Sequence, residues 1–220
     1  MITGPEVPPI SGNKPDSLVI TLHGYGADGY NLLDIAKFMS NDLPTTHFLS
    51  PNAPERCEMG GEGYQWFSLN DRTPSVMISL LRNAEKALNE YIDYQLKRFN
   101  LTEDKLIVLG FSQGTYTSLH TILRRNKPIA GLIGFSGALI SPATLKDEIK
   151  SRPKICLLHG DQDDVVAYES MNIALTTLSE NDLDVHAHTM HGVGHYISYE
   201  GLEIALKHIK TYLNIPLNKA

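Results

Sequence analysis

The segment 106–114 constrains the fold of this chain more than any other. A wholly apolar run at 106–109 leads into Gly-x-Ser-x-Gly, and an amphipathic segment follows at 115–125. This order predicts a buried strand, a sharp turn and a helix, with Ser112 at the apex of the turn. The helix N-terminus would direct its N–H groups at the serine oxygen, which indicates a nucleophilic serine. A five-residue pattern also arises by chance in a chain with 17 glycines, so its context has to support it.

Composition favours one globular domain. The chain has 220 residues, of which 42% are hydrophobic, which is enough for one sizeable core. The formal net charge of −6 comes without any run of basic residues, which argues against nucleic acid or an anionic membrane surface as a partner. No export signal or membrane-spanning run is visible, and two cysteines do not make a disulfide framework. We therefore expect a cytoplasmic protein.

Apolar runs alternate with amphipathic segments along the chain. Strands are predicted at 18–22, 46–50, 106–109, 129–135, 155–159 and 185–189, and helices at 30–40, 74–100, 115–125 and 198–213, with a weaker one near 142–150. The repeated strand-then-helix order predicts a single α/β domain over 1–220, with a mostly parallel central sheet and helices on both faces. The proline-rich start, 1–17, predicts an irregular or edge-strand lead-in.

Two loops have unusual compositions. The loop 23–29 holds three glycines directly after a predicted strand, so it could turn an N–H group outward as an oxyanion hole requires, or serve as an ordinary connection. The segment 51–74 is rich in Pro, Gly and polar residues but carries several aromatic side chains. We interpret it as a substrate-pocket loop in which Trp66 and Phe67 contact the substrate, with packing of both rings on the core as the alternative.

Candidate partners for Ser112 follow the last two predicted strands. The loop after 155–159 contains three acids in four residues, and the loop after 185–189 contains His195 just before the last helix. In a parallel sheet such loops meet at the carboxyl ends of the strands. One acid would orient the histidine, which would act as a general base, although a solvated acidic loop is the alternative. The order Ser112, Asp163, His195 is that of nucleophile, acid and histidine in the α/β-hydrolase fold.

The histidines also raise the question of a metal site. Alternate residues on a strand share a face, so His186 and His188 could act together, with His191 and His195 nearby in sequence. We disfavour this hypothesis because no cysteine or carboxylate pair has matching spacing and the serine would lose its base. Two further histidines, His23 and His159, each precede a glycine at a strand end and are interpreted as supports for neighbouring loops.

With these segments in view, the chain resembles the phospholipase/carboxylesterase family of α/β-hydrolases, which includes bacterial carboxylesterases and eukaryotic acyl-protein thioesterases. The resemblance runs nearly end to end. The matching blocks are Leu22-His23-Gly24-Tyr25-Gly26-Ala27-Asp28-Gly29, Pro51-Asn52-Ala53-Pro54, Tyr64-Gln65-Trp66-Phe67, Gly110-Phe111-Ser112-Gln113-Gly114, Gly134-Phe135-Ser136-Gly137, His159-Gly160-Asp161-Gln162-Asp163 and Gly194-His195. Small departures are Asp164 and Ala167, where many members have proline, and Thr115, where a second glycine is common.

The resemblance implies roles for individual residues. Ser112 would be the nucleophile, Asp163 the orienting acid and His195 the base. The N–H groups of Tyr25 and Gln113 would form the oxyanion hole. Such an enzyme needs neither a cofactor nor a metal. Its partners would be small-molecule or lipid-like esters or thioesters, without nucleic acid or stable membrane insertion, and a homodimer is compatible with it.

The size of the chain restricts the expected substrates. A chain of 220 residues leaves no room for a large helical lid, so we expect hydrolysis of carboxylic esters with short to medium acyl chains. An acyl-protein or acyl-CoA thioesterase or a lysophospholipase would use the same residues and is an alternative. An inactive binding protein with this fold would lack a catalytic residue, and none is missing from the sequence.

Overall fold

A seven-stranded sheet forms the centre of the computed structural model, which describes residues 1–140 and 142–217. Its strands are β1 (Glu6–Val7), β2 (Ser17–Leu22), β3 (Thr46–Leu49), β6 (Leu106–Phe111), β7 (Gly131–Phe135), β8 (Lys154–Gly160) and β9 (Val185–Met190), in the spatial order β1-β3-β2-β6-β7-β8-β9. The short strands β4 (Glu55–Arg56) and β5 (Tyr64–Gln65) form a separate antiparallel pair. The helices are α1 (Leu33–Met39), α2 (Pro74–Phe99), α3 (Gln113–Arg124), α4 (Glu169–Glu180) and α5 (Tyr199–Tyr212).

All neighbouring strands of the main sheet run parallel except β1, which pairs antiparallel with β3 at one edge. Parallel neighbours need a long connection, which the helices provide. Strand β6 lies between β2 and β7, so Ser112 follows a strand in the middle of the sheet. The edge strand β1 lies within the lead-in 1–17.

Side-chain alternation divides the core between the two faces of the sheet. Leu106 and Val108 pack with helices α2, α3 and α4 on one face. Ile107 and Leu109 pack with α1 and α5 on the other face. Because both faces are covered, the strands are continuously apolar rather than alternating with polar residues. The predicted α/β class and the placement of helices on both faces are confirmed.

Helix α2 illustrates how local sequence and tertiary packing agree. Pro74 begins the helix, where a missing N–H costs nothing, and Asn100 ends it in a left-handed conformation with φ 55°. Leu81, Leu88 and Ile92 recur at helical spacing and are fully buried against the sheet. No helix in 1–140 or 142–217 has the length and apolarity needed to cross a membrane.

Three predictions of local structure need correction. Helix α4 was not predicted, although Met171, Ala174 and Leu178 bury one of its faces. The segment near 142–150 forms only a short 3-10 helix, Pro142–Asp147. The 51–74 loop contains the β4–β5 hairpin, whose two-residue strands are too short to give a sequence pattern.

Candidate active site

The turn between β6 and α3 holds Ser112 in a rare backbone conformation, with φ 52° and ψ −119°. This turn requires very close packing of the backbone. A Cβ atom at Gly114 would lie 2.0 Å from the carbonyl oxygen of Leu22, and one at Gly110 would lie 2.6 Å from the backbone of Gly114. Only glycine fits these two positions, so the sequence pattern and the strained turn depend on each other.

A chain of hydrogen bonds links three side chains from three different loops. His195 Nε2 lies 3.1 Å from Ser112 Oγ, and His195 Nδ1 lies 2.8 Å from Asp163 Oδ2. The ring of Phe111 packs beside that of His195, with centroids 4.9 Å apart. The structure therefore brings together the three residues that the sequence selected as nucleophile, base and acid.

Within the hydrogen-bonded chain Ser112–His195–Asp163, the Asp163 carboxylate is held by several contacts. Its side chain has 0% exposure, and its Oδ1 accepts hydrogen bonds from the N–H groups of Val165 and Val166 at 3.0 and 2.9 Å. Burial raises the pKa of Asp163, but the hydrogen bonds from Val166, His195 and Val165 outweigh it and hold the pKa below its usual value. The carboxylate is therefore charged at neutral pH and can hold an imidazole proton.

His159 provides a further contact to this carboxylate. Its Nε2 lies 2.9 Å from the Val166 carbonyl oxygen and 3.2 Å from Asp163 Oδ2, and the ring is almost fully buried. Because the Val166 carbonyl can only accept, Nε2 carries the proton. Its role as a support for the acidic loop agrees with the sequence interpretation.

The neighbouring acids have different surroundings. Asp161 Oδ2 lies 2.9 Å from His191 Nδ1, and its Oδ1 accepts from the Gly192 N–H at 2.8 Å. Asp161 therefore joins its own loop to the loop that carries His195. Asp164 is exposed to solvent. Only Asp163 contacts the imidazole of His195 among the three acids.

The predicted oxyanion-hole groups belong to the residue that follows Ser112 and to the loop after β2, in which Gly24 lies against the Ser112 side chain. No described residue accepts a hydrogen bond from the N–H of Tyr25 or of Gln113, the first residue of α3. The loop that carries Tyr25 is braced by His23, whose Nδ1 donates to the Gly24 carbonyl at 2.7 Å while Nε2 accepts from the Ala53 N–H at 3.0 Å. Burial lowers the pKa of His23, so it is a neutral support.

A cavity of about 850 Å³ opens around Ser112 and His195. This volume is in the range expected for small-molecule sites, about 300–1,000 Å³. One wall is apolar and lies on the side of the sheet that α2 and α3 cover. It consists of Leu69 from the 51–74 loop, Met77 from α2 and Tyr116 from α3, and we call it the α2–α3 wall. The opposite wall lies on the side of the sheet that α1 and α5 cover. It is lined by Leu32, Ile35, Ile197 and Leu202. Ser112 therefore lies between two apolar surfaces.

The prediction that Trp66 and Phe67 contact the substrate is wrong. Both side chains have 0% exposure and neither lines the cavity. The Trp66 indole N–H donates to the His23 carbonyl at 3.0 Å, which draws the ring under the loop rather than toward the substrate. The alternative, packing on the core, is the correct one. The 51–74 loop still lines the cavity, but through Glu58, Met59, Leu69, Asn70 and Arg72.

Two polar side chains that sequence reasoning missed hold this loop in place. The Gln113 side-chain amide accepts a hydrogen bond from the backbone N–H of Trp66 at 2.8 Å and donates one to the backbone carbonyl of Phe67 at 2.7 Å. The Glu58 carboxylate accepts from the Tyr25 hydroxyl and from the Leu69 N–H at 2.9 and 2.8 Å. The sequence predicts a role for the Gln113 backbone alone, and a carboxylate in a polar loop gives no signal in the sequence.

The departure at Thr115 is compensated locally. Its hydroxyl donates to the Phe135 carbonyl at 2.8 Å. A Cβ atom at Gly137 or Gly134 would lie 2.3 or 2.7 Å from the Thr115 side chain. The Thr115 side chain therefore occupies the space beside these two glycines, where they have no side chain of their own. Thr115 thus fits without displacing Ser112.

The four histidines considered for a metal site do not cluster. His191 contacts Asp161 and His195 contacts Ser112, whereas His186 and His188 face α5 on the edge strand β9. The metal hypothesis in its original form is therefore wrong.

Comparison with known proteins agrees with this geometry. The model of the Phospholipase/Carboxylesterase family matches residues 8–213. This chain belongs to that family. A relative, "Acyl-protein thioesterase 1" of Mycosarcoma maydis, is 32% identical over 203 residues, covering 82% of this chain and 85% of the relative. The family assignment and this relative make the chain a hydrolytic enzyme.

Solved structures give the same result. The crystal structure of esterase PE8 superposes with a TM-score of 0.91 at 35% identity and covers 96% of this chain and 99% of that one. The structure of SOBER1 from Arabidopsis thaliana superposes with a TM-score of 0.80 at 25% identity, covering 90% and 99%. The α/β-hydrolase resemblance inferred from the sequence blocks is confirmed.

The double contact of Gln113 with the 51–74 loop leads to a stability prediction for this phospholipase/carboxylesterase-family chain. Gln113→Leu leaves the Trp66 N–H and the Phe67 carbonyl buried without a partner, which costs about 1–3 kcal/mol for each group. We expect the free energy of unfolding in urea to fall accordingly. The matched control is Gln162→Leu, because that side chain is exposed. Equal stability of the two variants would contradict the anchoring role.

Proposed function

We propose that this hydrolase cleaves carboxylic esters of short to medium acyl chains through an acyl-enzyme on Ser112. The observation that carries the proposal is the hydrogen-bonded chain Ser112–His195–Asp163 at the floor of the apolar cavity. Thioesters are a second substrate class for the same site, since relatives of this chain are named acyl-protein thioesterases. Both classes present an acyl carbonyl to the same nucleophile.

Acylation uses the hydrogen bonds that already link Ser112, His195 and Asp163. His195 Nε2 takes the proton of Ser112 while Oγ attacks the carbonyl carbon, and Asp163 holds the imidazolium through Nδ1. The developing oxyanion accepts hydrogen bonds from the N–H groups of Tyr25 and Gln113. His195 then gives its proton to the leaving alcohol or thiol. The strained turn and the helix N-terminus keep Ser112 oriented before substrate arrives.

Deacylation repeats the sequence with water. His195 takes a proton from water as its oxygen attacks the acyl carbon, and the same N–H groups stabilise the second oxyanion. Collapse of that intermediate releases the carboxylic acid and returns the proton to Ser112. The reaction balances with substrate and water alone. An inactive binding protein is disfavoured because each residue of the hydrogen-bonded chain is in contact with the next.

The remaining expectations concern partners and compartment. Small-molecule or lipid-like substrates fit the apolar cavity lining and the net charge of −6. The cytoplasmic localisation and the homodimer stay predictions from the sequence.

The identity of the nucleophile is tested by Ser112→Ala. Ester hydrolysis should fall on the order of a millionfold, and covalent labelling by a fluorophosphonate should disappear, because Ser112 is the one serine that contacts His195 among the residues the structure describes. Ser136→Ala is the matched control, since Ser136 also follows a central strand with positive φ, 45°, but lacks a histidine partner in 1–140 and 142–217. Labelling of folded Ser112→Ala, measured by mass spectrometry, would disprove the assignment.

The choice of acid is tested by comparing two conservative substitutions. Asp163→Asn should lower kcat roughly 10⁴-fold, because an amide no longer favours the tautomer that leaves His195 Nε2 able to accept the serine proton. Asp161→Asn should retain most activity, because its partners are His191 and Gly192. A larger loss in Asp161→Asn would mean that Asp161 is the orienting acid.

Acyl specificity is tested on the two walls of the cavity. We assign the acyl chain of the substrate to the α2–α3 wall beside the 51–74 loop. Leu69→Trp fills part of the cavity along this wall, so the variant should prefer shorter acyl chains than the wild type. Each buried methylene is worth about 0.8 kcal/mol, so wild-type kcat/KM should climb with acyl length until the wall is covered and then fall. Leu202→Trp on the opposite wall is the control. A shift in acyl preference for Leu202→Trp alone would reverse the assignment of the two walls.

A further inference from the structure

A second cavity, of about 320 Å³, lies at the β9 edge of the sheet, away from Ser112. It is bounded by β8, β9 and the last helix, α5. Three histidines, His186, His188 and His208, line it, although the chain has only nine histidines in total. The proposed ester hydrolysis uses none of them. This concentration of imidazoles in one place needs its own explanation.

Strand register accounts for part of the cluster. Cys156 on β8 is the register partner of His186 on β9, and alternate residues of a strand share a face. Cys156 and His188 therefore lie on the face that α5 covers, where Cys156 packs among that helix's apolar residues. Helix α5 contributes His208. The side-chain ligand atoms of Cys156, His188 and His208 all lie within 4.8 Å of one another.

The distances suit a common ligand. His188 Nε2 and His208 Nε2 are 3.0 Å apart. Two imidazole nitrogens that bind one tetrahedral Zn²⁺ at about 2.0–2.1 Å lie about 3.3 Å apart, so a small rotation of either ring brings these two nitrogens to that spacing. The Cys156 Sγ lies within 4.8 Å of a ring nitrogen of each histidine. In the metal-free protein, one ring donates a hydrogen bond to the other.

We propose that Cys156, His188 and His208 bind a zinc ion. Thiolate and imidazole are the ligands that Zn²⁺ prefers, whereas a site for Mg²⁺ or Ca²⁺ would need several carboxylate or carbonyl oxygens. Binding replaces the thiol proton of Cys156, which passes to water, and each neutral imidazole supplies a nitrogen lone pair. The fourth position is left to water or to His186, whose ring centroid is 5.2 Å from that of His208.

An independent observation marks the same place. Tyr212 lines this cavity and is 6% exposed, yet its hydroxyl has no hydrogen-bond partner among the described residues. Buried hydroxyls are normally paired, and a metal-bound water would provide the missing partner. Two lysines also line the cavity, but both are exposed and can extend their ammonium groups into water, and Asp184 offsets part of their charge.

A zinc ion here would connect three elements. Strand β9 is the sheet edge and pairs only with β8 among the strands of 1–140 and 142–217, and the loop that carries His195 follows it directly. Ligands from β8, β9 and α5 would therefore fasten the edge strand to the rest of the domain. The consequence is a metal-dependent rise in thermal stability, since a ligand that binds only the folded state stabilises it. No step of ester hydrolysis passes through this site.

The test measures Zn²⁺ binding to the chelator-treated, full-length protein. Native mass spectrometry should show one Zn²⁺ per chain, the melting temperature should rise with added Zn²⁺, and Co²⁺ should give a thiolate charge-transfer absorption. His208→Gln should weaken Zn²⁺ binding by roughly a hundredfold or more, because one of three ligands is lost. Cys156→Ser should abolish the Co²⁺–thiolate absorption, and His208→Gln keeps the test valid if the buried Cys156 substitution does not fold.

Two controls separate this site from other histidines. His191→Gln removes an exposed histidine outside the cluster and should bind Zn²⁺ as the wild type does. Protein labelled at Ser112 with a fluorophosphonate should also keep its zinc, which distinguishes this cavity from the proposed active site. Unchanged affinity in folded His208→Gln, or a wild-type Co²⁺ spectrum without a thiolate band, would overturn the proposal.

Discussion

The close approach of α3 to the strands β2 and β6 is the contact on which the rest of the structure depends. Gly114 lies against the Leu22 carbonyl, where a single Cβ atom would be 2.0 Å away. This approach occurs together with the positive φ of Ser112 and brings the start of α3 beside the loop that follows β2. Backbone strain at Ser112 costs on the order of 1–3 kcal/mol, so the surrounding core must hold it. The burial of both faces of the sheet provides that support.

A second level of organisation is polar. Gln113 donates to and accepts from the 51–74 loop, His23 braces the neighbouring loop, and Asp163 is held by two N–H groups. Each of these groups is buried, so losing a partner costs more than the hydrogen bond itself contributes. The site is therefore shaped by satisfied buried polar groups rather than by apolar packing alone. This explains how a pocket wall without regular secondary structure can keep a fixed position.

Sequence reasoning succeeded where the signal is local. Apolar runs bounded by glycines located the main strands, and Gly-x-Ser-x-Gly located the turn, because strand period and steric restriction act over a few residues. It failed where tertiary contacts decide. Nothing adjacent to Trp66 in the sequence shows that its indole N–H reaches the His23 carbonyl, 43 residues away, and this bond turns the ring from the pocket into the core. Helix α4 was missed because only three of its side chains are buried.

The histidines also show that spacing in the sequence does not reveal which side chains the fold brings together. Considered by spacing alone, His186, His188, His191 and His195 form one candidate cluster, yet the fold divides them between the acidic loop, Ser112 and the sheet edge. The residues that join His188 are Cys156, through strand register, and His208, through the packing of α5. Both lie at least 20 residues from His188 in the sequence, so no spacing rule connects them. Chemistry that depends on residues from several elements becomes visible only when register and helix packing are known. The turn at Ser112 was predictable from the sequence because the pattern that defines it is contained within five residues.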